Sequence, residues 1–151
     1  LTYYGYTESD IKSLSNVVIT PIEAPCSHPI NRYRIGAGFP FYPIYGTTQV
    51  SEGFYAVEYS NDIDPVGKIS IRFKNSPITG TYATTTLSEP SPGTAKLTIG
   101  WPNPGAAVDG AGLIYVNKIS DTQFKVEACN IPWTTGGTNQ TNFDLHWICN
   151  Y

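Results

Sequence analysis

Lys68-Ile-Ser-Ile-Arg-Phe-Lys74 alternates without a break: Ile69, Ile71 and Phe73 fall on one side, and Lys68, Ser70, Arg72 and Lys74 on the other. A period of two is the mark of a half-buried β-strand, because successive side chains of an extended backbone point to opposite faces. The same period recurs on both sides of this stretch. Gly53–Ser60 aligns Tyr55, Val57 and Tyr59, Lys96–Trp101 aligns Leu97, Ile99 and Trp101, and Gln123–Ala128 aligns Phe124, Val126 and Ala128. Leu113–Val116 is nearly continuously apolar, and the chain closes on Phe143, Leu145, Trp147, Cys149 and Tyr151 alternating with Asp144, His146, Ile148 and Asn150. Turn-forming clusters separate these runs at Asn61–Pro65, Asn75–Gly80, Ser88–Gly93, Pro102–Gly112 and Pro132–Asn142. No amphipathic helix of about ten residues intervenes to make parallel crossovers, so residues 51–151 are expected to form an all-β, six-stranded antiparallel β-sandwich. Ile69, Ile71, Phe73, Leu97, Ile99, Phe124, Val126, Leu145 and Trp147 are expected to share its single core.

Composition agrees with one domain. The chain has 151 residues, 40% hydrophobic, 13% aromatic and 14% charged, against about 25% charged in an average domain. That usage excludes a coiled coil and a charge-driven disordered tail. The net charge is −3 and the nine basic residues are scattered, so there is no electrostatic footprint for nucleic acid. No apolar run approaches the roughly 18 residues of a membrane-spanning helix. Leu1 is not an initiator and the sequence has no Met, which leads to the expectation of a mature or excised fragment.

Residues 1–50 read differently. Thr7–Val18 offers a thin apolar stripe behind a capping Thr7, a short helix at most. Pro21, Pro25, Pro29, Pro40 and Pro43 then argue against regular structure. Yet Tyr3, Tyr4, Tyr6, Tyr33, Phe39, Phe41, Tyr42 and Tyr45 make the stretch too aromatic for a solvated linker. It is expected to be an irregular arm that either wraps its own sandwich or lies at a subunit interface; a surplus of aromatic surface favours burial between chains.

The three cysteines, Cys26, Cys129 and Cys149, form no C-x-x-C pair and lie at no metal-ligand spacing, so no metal or cofactor is expected. Low Lys and Glu content and the sequon Asn139-Gln140-Thr141 suit an extracellular protein, where disulfides persist. Two of the three cysteines should then bridge within the chain, leaving one thiol buried or paired with another chain; Cys26 to Cys129 or Cys149 would tether the N-terminal third to the last strands, and the sequence leaves all three pairings open.

Ile119-Ser-Asp-Thr-Gln-Phe-Lys-Val-Glu-Ala-Cys129, then Trp133, then Phe143-Asp-Leu-His-Trp-Ile-Cys-Asn-Tyr151, resemble the H-type lectin family of snail agglutinins, whose fold also recurs in phage fibre tips and minor-pilin adhesins. The hairpin pattern of Tyr55–Ile71 is similar to that family's opening strands, so the resemblance covers residues 50–151 in three short pieces. It implies a six-stranded antiparallel sandwich, a parallel homo-trimer, and sugar bound near subunit interfaces without catalysis or an obligatory metal. Trp133 matches the aromatic that borders the sugar, and Trp147 the core or interface Trp of the last strand. The family's Arg has no counterpart, since Leu113-Ile-Tyr-Val-Asn-Lys118 offers only Asn117 and Lys118. This departure points to a ligand other than N-acetylgalactosamine, or to a fold kept for assembly alone.

Read for chemistry, the residues favour binding over catalysis. His28 sits in a Pro-rich loop and His146 alternates outward on a strand, neither beside an evident nucleophile. Asp62 and Asp64 fit an Asx turn better than a glycosidase pair or a calcium loop. Gly105–Gly112 lacks the following helix of a phosphate loop. Sugar recognition instead needs an aromatic face flanked by amides and hydroxyls. The loop Trp133–Asn142 supplies these, with Trp133 as the stacking face and Asn139 or Asn142 as hydrogen-bonding groups; Trp101 and Asn117 are further candidates. The sequence thus leads to a non-enzymatic, extracellular module that binds a glycan or glycosylated receptor as a trimer. The alternative is a structural subunit of an extracellular filament or fibre, its N-terminal arm completing a neighbour's sheet.

Overall fold

Every period-two segment becomes a strand, because only an extended backbone brings its alternate apolar side chains onto one buried face. The computed structural model describes residues 2–3, 6–7, 20–44, 49–50, 55–60, 68–99, 105–135 and 139–150, with side chains for 20–44, 69–99, 105–134 and 141–150. Among the described residues the protein is all-β and has no helix. Its strands are β1 (Thr2–Tyr3), β2 (Tyr6–Thr7), β3 (Arg32–Ile35), β4 (Tyr42–Pro43), β5 (Gln49–Val50), β6 (Tyr55–Ser60), β7 (Lys68–Phe73), β8 (Gly80–Thr84), β9 (Thr94–Ile99), β10 (Gly105–Ala107), β11 (Leu113–Ser120), β12 (Gln123–Thr135) and β13 (Asn139–Asn150). Thr7 therefore lies in a strand paired with Thr2, and the remainder of the expected Thr7–Val18 helix lies outside the described residues.

Strands β1 and β2 form a separate hairpin; the other eleven join in one sheet, in the order β4-β3-β13-β12-β11-β8-β9-β7-β6-β5, with β10 bonded to both β12 and β9. The path therefore closes a circuit through β12, β11, β8, β9 and β10. All pairs are antiparallel except β8 with β9, where Ala83 lies beside Thr94 and Thr84 beside Ala95 in parallel. This corrects the purely antiparallel expectation. A tight turn can join only antiparallel neighbours, whereas the longer excursion through 85–93, with Pro90 and Pro92, returns the chain in its original direction.

The six segments expected from the sequence coincide with β6, β7, β9, β11, β12 and β13. The additional strands carry weak side-chain signals. β8 reads Gly-Thr-Tyr-Ala-Thr and β10 Gly-Ala-Ala, sequences whose place is set by backbone hydrogen bonds. Gly105 has a steric reason: a Cβ there would collide with the Trp133 indole and the Thr134 carbonyl. β3 corrects the expectation that the Pro-rich stretch is irregular throughout. Residues 30–39 form a proline-free window, and within it Arg32–Ile35 pairs with His146–Phe143 of β13.

The core is one cluster. All nine residues assigned to it from alternation are buried there, joined by Tyr33, Ala95, Ala107, Ile114, Val116, Ala128, Ile131, Trp133, Phe143 and Cys149. Phe73 on β7 meets Phe124 on β12 edge to face at 6.4 Å, and Tyr82 on β8 at 4.9 Å. Since β7 and β12 are not hydrogen-bonded neighbours, the first contact joins the two limbs of the sheet across the core. The side chains of β6, and Trp101, lie outside the described residues.

Candidate functional site

Trp133 is fully buried, not a platform on a loop. The expected loop Trp133–Asn142 is largely a hairpin of β12 and β13, in which Trp133 opposes Thr141 and its ring stacks on Phe143 at 4.9 Å. Its position continues the inward alternation of Phe124, Val126 and Ala128 past a bulge, and an indole with no exposed surface offers no face to a sugar. Among the described residues the buried indole nitrogen has no hydrogen-bond partner. Asn142 pairs with Pro132, and its carbonyl accepts a hydrogen bond from Gly36 N at 2.6 Å. The backbone of Asn139 opposes Thr135, while its side chain lies outside the described residues. Asn117 is committed elsewhere: its Oδ1 accepts from Ile22 N at 2.7 Å and its Nδ2 donates to Ile22 O at 2.8 Å. That side chain imitates a strand edge and fastens the segment before β3.

The strongest polar constellation surrounds Asp144. Sequence alternation placed this residue outward, yet it is 2% exposed, because residues 26–34 of the same chain cover that face of β13. Arg34, directly across the β3–β13 pair, donates from Nε (3.0 Å) and Nη2 (2.7 Å) to Asp144 Oδ2. His28 Nε2 lies 2.9 Å from Oδ1, and the Asn130 amide donates to the same oxygen at 2.7 Å. The register of β12 against β13 shifts between Ala128 and Ile131, and Asn130 has φ 53°, a left-handed conformation that Asn tolerates better than most residues. This bulge turns the Asn130 amide out of the ladder toward the carboxylate. Burial alone would push the Asp144 carboxyl up; the Arg34 guanidinium, the Asn130 amide and His28 outweigh it and hold the carboxyl below its ordinary value.

Around this carboxylate the contacts continue. Phe41 stacks beneath the Arg34 guanidinium at 4.5 Å and lies 5.0 Å from the His28 ring. His146 Nδ1 is 2.8 Å from the His28 carbonyl, which can only accept, so Nδ1 carries the proton. The outward His146 of the sequence reading is thus half-buried under the same segment. Glu127, opposite His146 on β12, lies 3.6 Å from its Nδ1 and 3.0 Å from Lys125 Nζ; the latter is a charge contact without hydrogen-bond geometry. Beside the bulge, Cys129 is disulfide-bonded to Cys26 across 103 positions, with Cα atoms 5.8 Å apart. Cys149 is free and buried, and burial pushes its thiol well up from its ordinary value. Tyr33, Phe41 and Tyr42 of the expected arm pack within their own chain, whereas Phe39 is exposed.

Clefts open on the surface formed by the described residues. One, of about 400 Å³, is lined by Pro21, Thr79, Asn117, Lys118, Ile119 and Lys125. Its polar groups are largely engaged: Asn117 with Ile22, Lys118 with Asp121 at 3.3 Å, and Lys125 with Glu127. Another, of about 270 Å³, lies between the β7–β8 turn and the β8–β9 connection. Tyr82, Ile78 and Pro92 give it an apolar floor, and Lys74, Asn75, Ser76, Ser91 and Thr94 a polar rim. The Tyr82 hydroxyl accepts from Ile78 N at 3.0 Å and donates to Ile78 O at 3.1 Å, which fixes the ring. Ser91 and Thr94 are held by a tight turn, with Thr94 N donating to Ser91 O at 3.1 Å. Lys74, Asn75 and Ser76 make no side-chain hydrogen bond or ion pair among the described residues, which leaves their polar groups for a ligand. Asn75–Gly80 and Ser88–Gly93 carry only the marks of ordinary turns in the sequence; their apposition around Tyr82 makes the concavity. Comparison with known proteins adds no relative: no family model, curated protein or solved structure matches this chain.

Proposed function

We propose that this chain is an extracellular carbohydrate- or receptor-binding module that acts as a trimer, with its ligand seated in the cleft between the β7–β8 turn and the β8–β9 connection. The observation that carries the reading is the cleft itself. It offers a fixed aromatic ring and an exposed aliphatic side chain, Ile78, beside the Lys74 ammonium, Asn75 amide and Ser76 hydroxyl, which have no hydrogen-bond or ion-pair partner among the described residues. Apolar ring faces and hydroxyl arrays of sugars are bound by this combination. The Cys26–Cys129 disulfide supports an oxidising compartment. The resemblance of residues 119–129, 133 and 143–151 to H-type lectins supports the trimer, with β6, β7, β9, β11, β12 and β13 as the six strands of the lectin sandwich.

The test is a glycan array read with the wild-type protein and with Asn75→Ala and Ile78→Ser, alongside mass measurement of the assembly. Both substitutions are on exposed turn residues and should change stability by no more than about 0.5 kcal/mol. Each should lower binding at least tenfold without moving the melting temperature. Wild-type binding by both variants would place the ligand elsewhere, and a polydisperse or filamentous assembly would favour a structural subunit over the trimeric lectin.

A further inference from the structure

We propose that Cys26, His28 and Cys129 form a binding site for a thiophilic divalent metal ion of the zinc class when the Cys26–Cys129 disulfide is reduced. The two sulfurs and a ring nitrogen of His28 all lie within 4.8 Å of one another, and all three residues are half-buried, within reach of a reductant and an ion. Tetrahedral zinc, with bonds of about 2.3 Å to sulfur and about 2.0–2.1 Å to nitrogen, spaces its donors about 3.5–3.8 Å apart. Once the bond is broken the sulfurs need only rotate apart on their side-chain torsions, from Cα atoms already 5.8 Å apart.

The second observation concerns orientation. His28 Nε2 is engaged by Asp144 at 2.9 Å, and Asp144 is itself held by Arg34 and the Asn130 amide. With the Nε2 proton on the Asp144 side, the Nδ1 lone pair is the metal ligand, and the carboxylate fixes the ring as outer carboxylates do for metal-bound histidines. Three protein ligands leave a fourth position for water. The balance is simple: a dithiol reductant is oxidised to its disulfide while Cys26 and Cys129 take up two electrons and two protons, and binding of the ion releases those two protons. In the oxidised chain no thiolate exists and the site is closed.

The experiment uses the full chain, reduced with dithiothreitol, freed of reductant anaerobically and titrated with Co²⁺ as a spectroscopic substitute for zinc. The reduced protein should bind one ion per chain with a sulfur-to-cobalt charge-transfer band, and the oxidised protein should show none. His28→Ala should weaken binding at least tenfold, Asp144→Asn should weaken it about 10- to 100-fold, and Cys149→Ala should leave the band in place. A reduced chain with native circular dichroism and no band would overturn the site, as would equal affinity in His28→Ala. A reduced chain that unfolds and stays unfolded when the ion is added would overturn it as well, since a site built by this fold should restore the fold on binding.

Discussion

The apolar core and the clasp around Asp144 hold the same sheet by different physics. In the core, Phe73, Phe124, Leu97, Leu145 and their neighbours are buried because many strands each present one apolar face, so a loss at any one position is a local cavity. In the clasp, a single carboxylate gathers Arg34, His28 and the Asn130 amide, and a single covalent bond ties Cys26 to Cys129. The core is redundant in kind and the clasp is not. The difference teaches where the segment 20–44 gets its place: it is fastened to β13, β12 and β11 by a few directional contacts and one disulfide, with Tyr33 as its one fully buried apolar anchor.

Removing core volume should have the largest effect. Phe124→Ala and Trp133→Ala should each cost about 3–5 kcal/mol through cavity formation, measured by urea unfolding. A Trp133→Ala variant that keeps wild-type stability would return that residue to the surface and erase the distinction. Replacing Cys26 and Cys129 together by Ser should cost about 2–5 kcal/mol, since the closed loop is long. Here the comparison sharpens: hydrogen exchange should rise first in Arg32–Ile35 and in its partner segment of β13, while β7 and β9 stay protected. Uniform loss of protection would mean that clasp and core are one cooperative unit.

Asp144→Ala should cost about 3 kcal/mol, the low end for breaking a buried pair, because Arg34 keeps partial access to water. The same carboxylate predicts a pH dependence. Its folded pKa lies below its unfolded value of about 4, so its stabilisation is present above that value and is lost as pH falls through the folded one. Melting temperature should therefore drop below about pH 4 in the wild type and drop less steeply in Asp144→Asn; identical slopes would remove Asp144 from the acid response. The smallest effect belongs to Asn117→Ala, about 1–2 kcal/mol for two hydrogen bonds to Ile22, visible as faster exchange near residue 22.

Alternation in the sequence determined the all-β class, the six principal strands and the inward face of β7, β9, β12 and β13, because period-two burial is a local property written into each segment. It was silent on β8 and β10, whose Gly, Ala and Thr residues carry no alternating apolar signal. Residues in the candidate cleft are individually unremarkable turn formers, legible only once 74–78 and 91–94 face each other across Tyr82. Tertiary structure alone decided that Trp133 is core and Asn117 a fastener, which two cysteines pair, and that Asp144 and His146, outward by alternation, lie beneath residues 26–34. The reason is distance along the chain. Apart from the Trp133–Phe143 stack, these contacts join residues 95 to 118 positions apart, and the bulge at Cys129 and Asn130 shifts the register of a strand by an amount no local pattern records.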